Sequence, residues 1–433
     1  SDIQHFGPKT GRKMGIPVFM GQRAENIEGA DLIVHTAAIM ADNPELIAAK
    51  ASNAPVLERS ELLGIVTGWY DNAICVSGTH GKTTTTSMIT QILFTAGVDL
   101  SAFIGGKLPC IGGSGRAGKS DIMVCEACEF VDTFLKLYPD VAVILNIDED
   151  HLDYFKNLEN IIKSFRKFSE MATKALIING DDANTLKAVD GITGKEFITF
   201  GLDSKNDYYA ANIKKISGME TEYTLMYKGK ALGKINLHVA GVHNILNSLA
   251  AAAAAFYANV SFESIQKGLS DFRGAGRRFE LIGKEKGITI VDDYAHHPTE
   301  LSVTLKAAMD MGYNKVWAVF QPFTFSRTAI LLDDFAKALS IPDNAVLTDI
   351  MGSREKNTYN IYTRNLAEKI DGCIYFPQDE NAEYTDERKY ENFGQVCDYI
   401  CENANDGDLV ITLGCGDVYK VAKMIYKKLK GQE

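Results

Sequence analysis

Nowhere in the 433-residue chain do apolar residues run for the ~20 positions that a membrane-spanning helix requires, so no transmembrane anchor is expected. The longest candidate, the alanine-rich run from Leu249 to Tyr257, is read as a buried helix. Clustered basic residues are equally scarce. Acidic residues outnumber basic ones 56 to 45, for a formal net charge of -11. The one dense basic group, Lys423, Lys427, Lys428 and Lys430, is expected to be the solvated face of a last helix. A nucleic-acid surface needs Lys and Arg gathered against phosphates, so none is expected. The eight cysteines lack the framework of a small secreted domain, and Cys125 and Cys128 have no second pair at zinc-site spacing. A reduced, cytoplasmic protein without a signal peptide is the expectation. There is no internal repeat and no low-complexity tract. Because the chain opens at Ser1-Asp2 without an initiating Met, an N-terminal portion is expected upstream.

What is present has ordinary globular proportions, with 46% hydrophobic and 23% charged residues, and the length predicts two or three domains. Short β-branched runs alternate with longer helical patterns, the signature of an α/β chain with parallel sheets and crossover helices. A first block, 1–66, holds the strand Leu32-Ile33-Val34 and a helix from Pro44 to Lys50. A second, 67–275, opens with the strand Ala73 to Val76. Its later strands are expected at Ile122 to Cys125, Val141 to Leu145 and Ala175 to Ile178, with an antiparallel hairpin around Tyr223 to Met226 and Ile235 to His238. Two glycines amid dense charge at residues 272–278 predict a linker. The third block, 276–433, is expected to be a smaller Rossmann-like unit with strands Thr289 to Val291, Val316 to Phe320, Val346 to Asp349 and Leu409 to Thr412.

The strand at Ala73 to Val76 runs into Ser77-Gly78-Thr79-His80-Gly81-Lys82-Thr83-Thr84, and a helix is expected behind it. Strand, glycine turn and helix N-terminus make a phosphate cradle, since backbone N–H groups and the helix dipole both point at the anion. Lys82 would meet the β and γ phosphates and the Thr83 hydroxyl would ligate Mg2+. The general pattern wants glycine where this chain has Val76. A second stretch, Gly113-Ser114-Gly115-Arg116-Ala117-Gly118-Lys119-Ser120, matches the general pattern in full. It precedes a strand rather than a helix, and is read as a chance match in a mobile loop.

Glu126 ends one parallel strand, and Asn146-Ile147-Asp148-Glu149-Asp150-His151 ends the next. Carboxyl ends of such strands face the ligand crevice, where a carboxylate and an imidazole can hold a metal beside phosphates. Asp148, Glu149, Asp150 and Asp153 can equally form an exposed acidic turn. An EF-hand is excluded by the missing glycine and distal Glu. Asn244 and Asn247 stand where helix-capping Asn residues usually do. In Asp292-Asp293-Tyr294-Ala295-His296-His297-Pro298 a metal pair, a substrate clamp and polar packing all remain open.

In this order these motifs resemble the Mur ligase family. The resemblance extends through Gly78 to Thr86, Asn146 to His151, His243 to Asn247, Gly276 to Glu280, Asp292 to Glu300, and Phe320-Gln321-Pro322 with Ser326-Arg327-Thr328, nearly the whole chain. It implies three domains: an N-terminal Rossmann-like domain, incomplete here, that binds a UDP-sugar, a central phosphate-loop ATPase domain, and a C-terminal Rossmann-like domain that binds an amino acid. It further implies ATP-dependent ligation of L-alanine to the lactyl carboxylate of UDP-N-acetylmuramate through an acyl phosphate, with ATP and Mg2+, in a monomer or homodimer. A ligase that adds a tripeptide to the same nucleotide, or a non-catalytic nucleotide-binding relative, is the alternative. By the same resemblance Gly78 to Thr84 hold the phosphates, and Thr83, Glu126 and His151 the metal. Asn244 and Asn247 serve the adenine side, Asp293 the ribose and Arg277 the phosphates. Asp2, Thr36, Ala37 and Ala38 lie on the UDP-sugar side, and His296 and Arg327 face the amino acid and the reacting carboxylate. Two departures stand out. Glu126-Ala127-Cys128-Glu129-Phe130-Val131-Asp132 thins the family's acidic stretch, and Phe323 replaces an imidazole after Gln321-Pro322.

Overall fold

In a computed structural model of the protein, the described residues are 15–37, 39–216, 220–239, 241–353, 355–378 and 391–432. Along the chain run β1 (Ile33–His35), α1 (Pro44–Ala51), β2 (Val56–Glu58), α2 (Arg59–Thr67), β3 (Asn72–Ser77), α3 (Lys82–Thr95), β4 (Ser101–Leu108), β5 (Gly113–Arg116), β6 (Ile122–Glu126) and β7 (Val141–Ile144). Next come α4 (Leu152–Phe155), α5 (Leu158–Met171), β8 (Ala175–Asn179), α6 (Ala183–Val189), β9 (Glu196–Gly201), β10 (Tyr208–Lys215), β11 (Thr221–Tyr227), β12 (Lys230–Leu237), α7 (Val242–Tyr257) and α8 (Phe262–Asp271). The last part holds β13 (Glu280–Glu285), β14 (Ile288–Asp293), α9 (Pro298–Met309), β15 (Val316–Phe320), α10 (Phe325–Ile330), α11 (Leu332–Leu339), β16 (Asn344–Leu347), α12 (Thr363–Ala367), β17 (Ile374–Tyr375), α13 (Glu391–Asn403), β18 (Leu409–Leu413) and α14 (Tyr419–Leu429). Among the described residues no helix is long and apolar enough to cross a membrane.

The chain divides into two compact units. The first comprises Ser1–His80, Asp121–Leu176 and Asp182–Phe197. Here β1 pairs in parallel with β2. The buried run of β3 lies between β6 and β7, both parallel to it, with Val76 opposite Glu126 on one side and Val143 on the other. Phe134 stacks on Phe168 at 4.7 Å between ring centroids, and both are fully buried.

The second unit comprises Gly81–Ser120, Ile177–Asp181 and Ile198–Glu433. β4 pairs antiparallel with β5. The expected hairpin is the antiparallel pair β11 and β12, with Tyr223 opposite Ile235, and β10 lies antiparallel on β11's other edge. α7 is apolar on every face in its middle, and Ala250 through Ala255 are wholly buried. A helix apolar all round is a core helix. α3 packs against α7 and α8.

The remaining sheet has the order β13-β14-β18-β15-β16-β17, parallel except for β13. One face packs Leu301, Leu305, Phe335 and Leu339 of α9 and α11; the other packs Val396, Ile400, Val421 and Ile425 of α13 and α14. This is the expected Rossmann-like layering. The basic residues Lys423, Lys427, Lys428 and Lys430 lie on the exposed face at the end of α14.

Three details depart from the sequence reading. The strand expected to reach Asp349 stops at Leu347, because the Asp349 carboxylate turns away to accept from the Tyr375 hydroxyl and the Gln378 N–H. Asn244 and Asn247 do not cap α7. Its N-cap is Gly241 without a side-chain bond, and the two Asn side chains lie buried within the first turns, Asn247 Nδ2 donating to Asn244 Oδ1 at 3.1 Å. β13, unforeseen, follows the irregular segment 272–279.

Candidate functional site

In the first unit the turn after β3 is laced to the segment after β7. Gly78 has φ +144, and a Cβ there would stand 2.9 Å from Leu145 Cβ, so only glycine fits. The Thr79 N–H donates to the Asn146 carbonyl at 3.0 Å. The His80 N–H donates to Asn146 Oδ1 at 2.8 Å, and Asn146 Nδ2 donates back to the His80 carbonyl at 3.0 Å. The Asp148 N–H donates to Thr79 Oγ1 at 2.9 Å. Asn146 therefore shapes the turn. Glu126 is the last residue of β6, and the Ala127 N–H donates to the Val76 carbonyl at 2.9 Å, which sets Glu126 beside the start of that turn.

His151 has φ +52, with its ring 4.7 Å from that of Phe130 and its Nε2 3.7 Å from the Asp150 carboxylate. Asp148 and Glu149 are exposed, and Asp148 Oδ1 accepts from the Glu149 N–H, so these two also form the acidic turn that was the alternative reading. Asp132 is engaged elsewhere, accepting from the Tyr154 and Ser164 hydroxyls. Thr36 and Ala37 follow β1, and the Ile39 N–H donates to the Thr36 carbonyl at 3.2 Å. Asp2 and Ala38 lie outside the described residues.

In the second unit Gly81, at φ +88, is the N-cap of α3, which has no side-chain cap. A left-handed N-cap of this kind is open to glycine, and a helix N-terminus favours an anion. Lys82, Thr83 and Thr84 form its first turn. Gly106 of β4 approaches closely, since a Cβ on it would lie 3.1 Å from Thr83 Cγ2, and the Gly276 N–H donates to the Lys107 carbonyl at 2.8 Å. The competing motif is built differently. Where a mobile loop was expected, Gly113–Arg116 is the strand β5, held by its pairing with β4, and β6 follows. The Gly118 N–H donates to Ser101 Oγ at 2.9 Å, and those of Lys119 and Ser120 donate to Asp99 at 3.2 and 2.9 Å. Its amides are consumed by the protein.

A third cluster occupies the carboxyl ends of β14, β15 and β18. Arg277, at φ +62, donates from Nε to Asp292 at 3.0 Å and from its two terminal nitrogens to the carbonyls of Gly414, Cys415 and Gly416. Its guanidinium lies 5.0 Å from the ring centroid of Tyr294 and 4.8 Å from that of Tyr419. Burial pushes the Asp292 carboxyl up against the opposing pull of Arg277. Asp293 accepts from the Phe279 N–H at 2.7 Å and the Ala295 N–H at 2.8 Å, and burial raises it to about 6. Arg277 and Asp293 would reach a nucleotide only by exchanging these partners.

His296 Nδ1 lies 2.9 Å from the Tyr294 carbonyl and 3.4 Å from Glu300. Both neighbours can only accept, so Nδ1 carries the proton and Nε2 presents a lone pair in the neutral ring. Burial lowers the His296 pKa, Glu300 opposes this, and Arg327 adds to it. Arg327, on α10, has a buried Nη1 without a hydrogen-bond partner in the structure. An orphaned buried guanidinium donor is suited to a carboxylate or phosphate.

Sequence reasoning singled out Lys82, Glu126, His151, His296 and Arg327, but missed the Gly414-Cys415-Gly416 turn that Arg277 holds. A strand running into a glycine turn and then a helix was the available signal. It also left Tyr294, Tyr419 and Glu300 without roles.

The chain belongs to the Mur ligase family. Three family models match it, described as Mur ligase family, catalytic domain, over residues 4–68, Mur ligase middle domain over 76–255, and Mur ligase, glutamate ligase domain, over 277–416. Among its relatives are the UDP-N-acetylmuramate--L-alanine ligases of Acetivibrio thermocellus, 45% identical over 96% of this chain and 87% of that one, and of Caldanaerobacter subterraneus, 41% identical over 98% and 89%. A solved UDP-N-acetylmuramate-alanine ligase from Thermotoga maritima superposes with a TM-score of 0.78 at 25% identity, covering 97% of this chain and 90% of that chain. A MurF ligase from the same organism, in complex with ADP, shares the fold with a TM-score of 0.68 at 16% identity over 95% and 97%.

Proposed function

We propose that the protein ligates L-alanine to the lactyl carboxylate of UDP-N-acetylmuramate at the expense of ATP, in the synthesis of peptidoglycan precursors. The observation that carries this reading is the ordered set of motifs, from the turn before α3 to Ser326-Arg327-Thr328, along a chain 45% identical over 96% of its length to a relative of that name. In this reading the turn Gly78 to Thr84 binds the triphosphate, and Lys82 offsets charge on the γ phosphoryl group as it passes to the carboxylate. The amine of L-alanine then attacks the acyl phosphate, and phosphate leaves. Asn244 and Asn247 are assigned to the adenine side, Asp293 to the ribose, and Thr36 to the UDP-sugar.

For Mg2+ the donor set is the Thr83 hydroxyl, the Glu126 carboxylate and the His151 imidazole. Two of the three are the oxygen donors that a hard cation prefers. Among the described residues no group of three or more His, Cys, Asp and Glu could hold a metal. That fits an ion completed by phosphate and water oxygens rather than a protein cage. Bound Mg2+ would supply charge neutralisation at the phosphates. His296, neutral at pH 7 with Nε2 as acceptor, and the orphaned Arg327 suit the amine and the carboxylate chemistry respectively.

The deciding measurement is ADP formation by purified protein with UDP-N-acetylmuramate and L-alanine. Turnover that requires both substrates is expected. Efficient use of a tripeptide with poor use of L-alanine would replace this reading with the tripeptide ligase, and nucleotide binding without turnover would replace it with a non-catalytic relative.

A further inference from the structure

Cys397 and Cys401 lie one helical turn apart on α13, outside every motif used above. Residues four apart on a helix share a face, and each of these two thiols shifts the titration of the other. Cys397 is 3% exposed, and Cys401 is half-buried at the edge of the core beneath α14. Two ammonium groups flank the pair, Lys428 of α14 and Lys286 in the turn between β13 and β14. Lys428 is itself held by Asp398 at 2.6 Å. Cys397 is the largest influence drawing the Cys401 thiol down, burial opposes it, Lys428 assists, Asp398 opposes and Lys286 assists. Cys397 is pushed up. A half-buried thiol whose pKa is drawn down is the more reactive kind, and Cys397 stands one turn before it on the same helix face.

What such a pair can take is limited by geometry. A direct disulfide needs Cβ atoms about 3.5–4.5 Å apart, whereas positions one turn apart on a helix hold them at about 5–6 Å. Closing the S–S bond would distort α13. A single atom bridging the two sulfurs avoids this. Among the described residues no His, Asp or Glu joins the thiols in a metal-holding group of three or more, so the site supplies two soft ligands and no cage. The class that needs two thiolates and brings its third substituent with it is a monosubstituted trivalent arsenical.

We propose that Cys397 and Cys401 form a dithiol site that chelates a monosubstituted trivalent arsenical, entered through Cys401. In water the arsenical carries two hydroxyls. Two As–O and two S–H bonds break, two As–S bonds form, two waters leave and arsenic remains trivalent.

The probe is phenylarsine oxide added to the intact protein, with the product followed by mass spectrometry of the whole chain. One adduct per chain is expected that survives excess glutathione and is removed by 2,3-dimercaptopropanol. Cys401→Ser and Cys397→Ser should each release it to glutathione at least ten-fold faster. Cys401→Ser changes a half-buried position and decides the matter if Cys397→Ser fails to fold. Cys128→Ser and Cys75→Ser should retain it. A resistant adduct that persists in Cys401→Ser, or is lost in Cys128→Ser or Cys75→Ser, would assign chelation to Cys125 with one of those neighbours and overturn the proposal. So would the absence of any glutathione-resistant adduct.

Discussion

Lys82 and Lys119 carry the same charge between a glycine and a hydroxyl residue, and what separates them is where the neighbouring amides point. Those around Lys119 are bonded to Ser101 and Asp99, whereas Lys82 begins a helix whose cap is a left-handed glycine. Lys82→Ala is expected to reduce ADP formation at saturating substrates by at least ~100-fold, the scale of losing one preorganised donor, with Lys119→Ala within a few-fold of wild type. The reverse order would move the active site. Arg277 and Asp292 are coupled, with Asp292 side chain 1% exposed. Arg277→Met should destabilise the fold by ~3–5 kcal/mol, because it strands a buried carboxylate. Adding Asp292→Asn should restore part of that, and a double-mutant cycle by denaturant unfolding that showed simple additivity would refute the coupling. His296 and Asp293 act on stability with opposite signs. The His296 pKa is lower folded than its ordinary 6.5, so its contribution is complete above pH 6.5 and is lost as pH falls through the folded value. Asp293 is raised from 3.8 to about 6, so its contribution is complete below pH 3.8 and is lost as pH rises through about 6. Compared with wild type, His296→Gln should lose less stability between pH 7.5 and 5.5 in thermal melts; an unchanged slope would exclude a role for that ring.

At the scale of elements, the long periodic or uniformly apolar segments were legible and the irregular ones were not. β3, β6, β7, β15 and β18 are short apolar runs between polar turns, and a buried parallel strand has little choice but to read that way. β5, a strand of Gly113-Ser114-Gly115-Arg116, carries no such pattern, and its pairing with β4 decides its conformation. β13 sits at an edge with one neighbour, where side-chain alternation is weak. The packing of α3 against α8 rests on Gly268, where a Cβ would stand 2.7 Å from the Ile92 Cα. Backbone cannot yield as a flexible side chain can, so Gly268→Ala should cost ~1–3 kcal/mol by overpacking. A melting temperature equal to wild type would show that the helices separate freely. Because α3 carries Lys82 and Thr83 at its start, a turnover defect in a still-folded Gly268→Ala protein is also expected.

For the whole molecule, membership of the Mur ligase family and likeness to L-alanine-adding relatives lead to a substrate prediction. A pocket discriminates only ~10–200-fold per methylene, so glycine and L-serine should be accepted with reduced kcat/KM relative to L-alanine. Rejection of both beyond that range would require a specific polar contact instead. The chain's own residues determined the family, the α/β class and the order of the motifs, because each rests on local chemistry: apolar runs, glycine turns, and a strand entering a helix. Only the tertiary structure decided what long-range pairing decides. It buried Asn244 and Asn247 instead of making them caps, committed the amides of residues 118–120 to Asp99 and Ser101, and closed Arg277 around the carbonyls of residues 414–416. A side chain's spacing limits its possible partners, but the fold brings Arg277 to a turn 137 residues away, and no local pattern records that meeting.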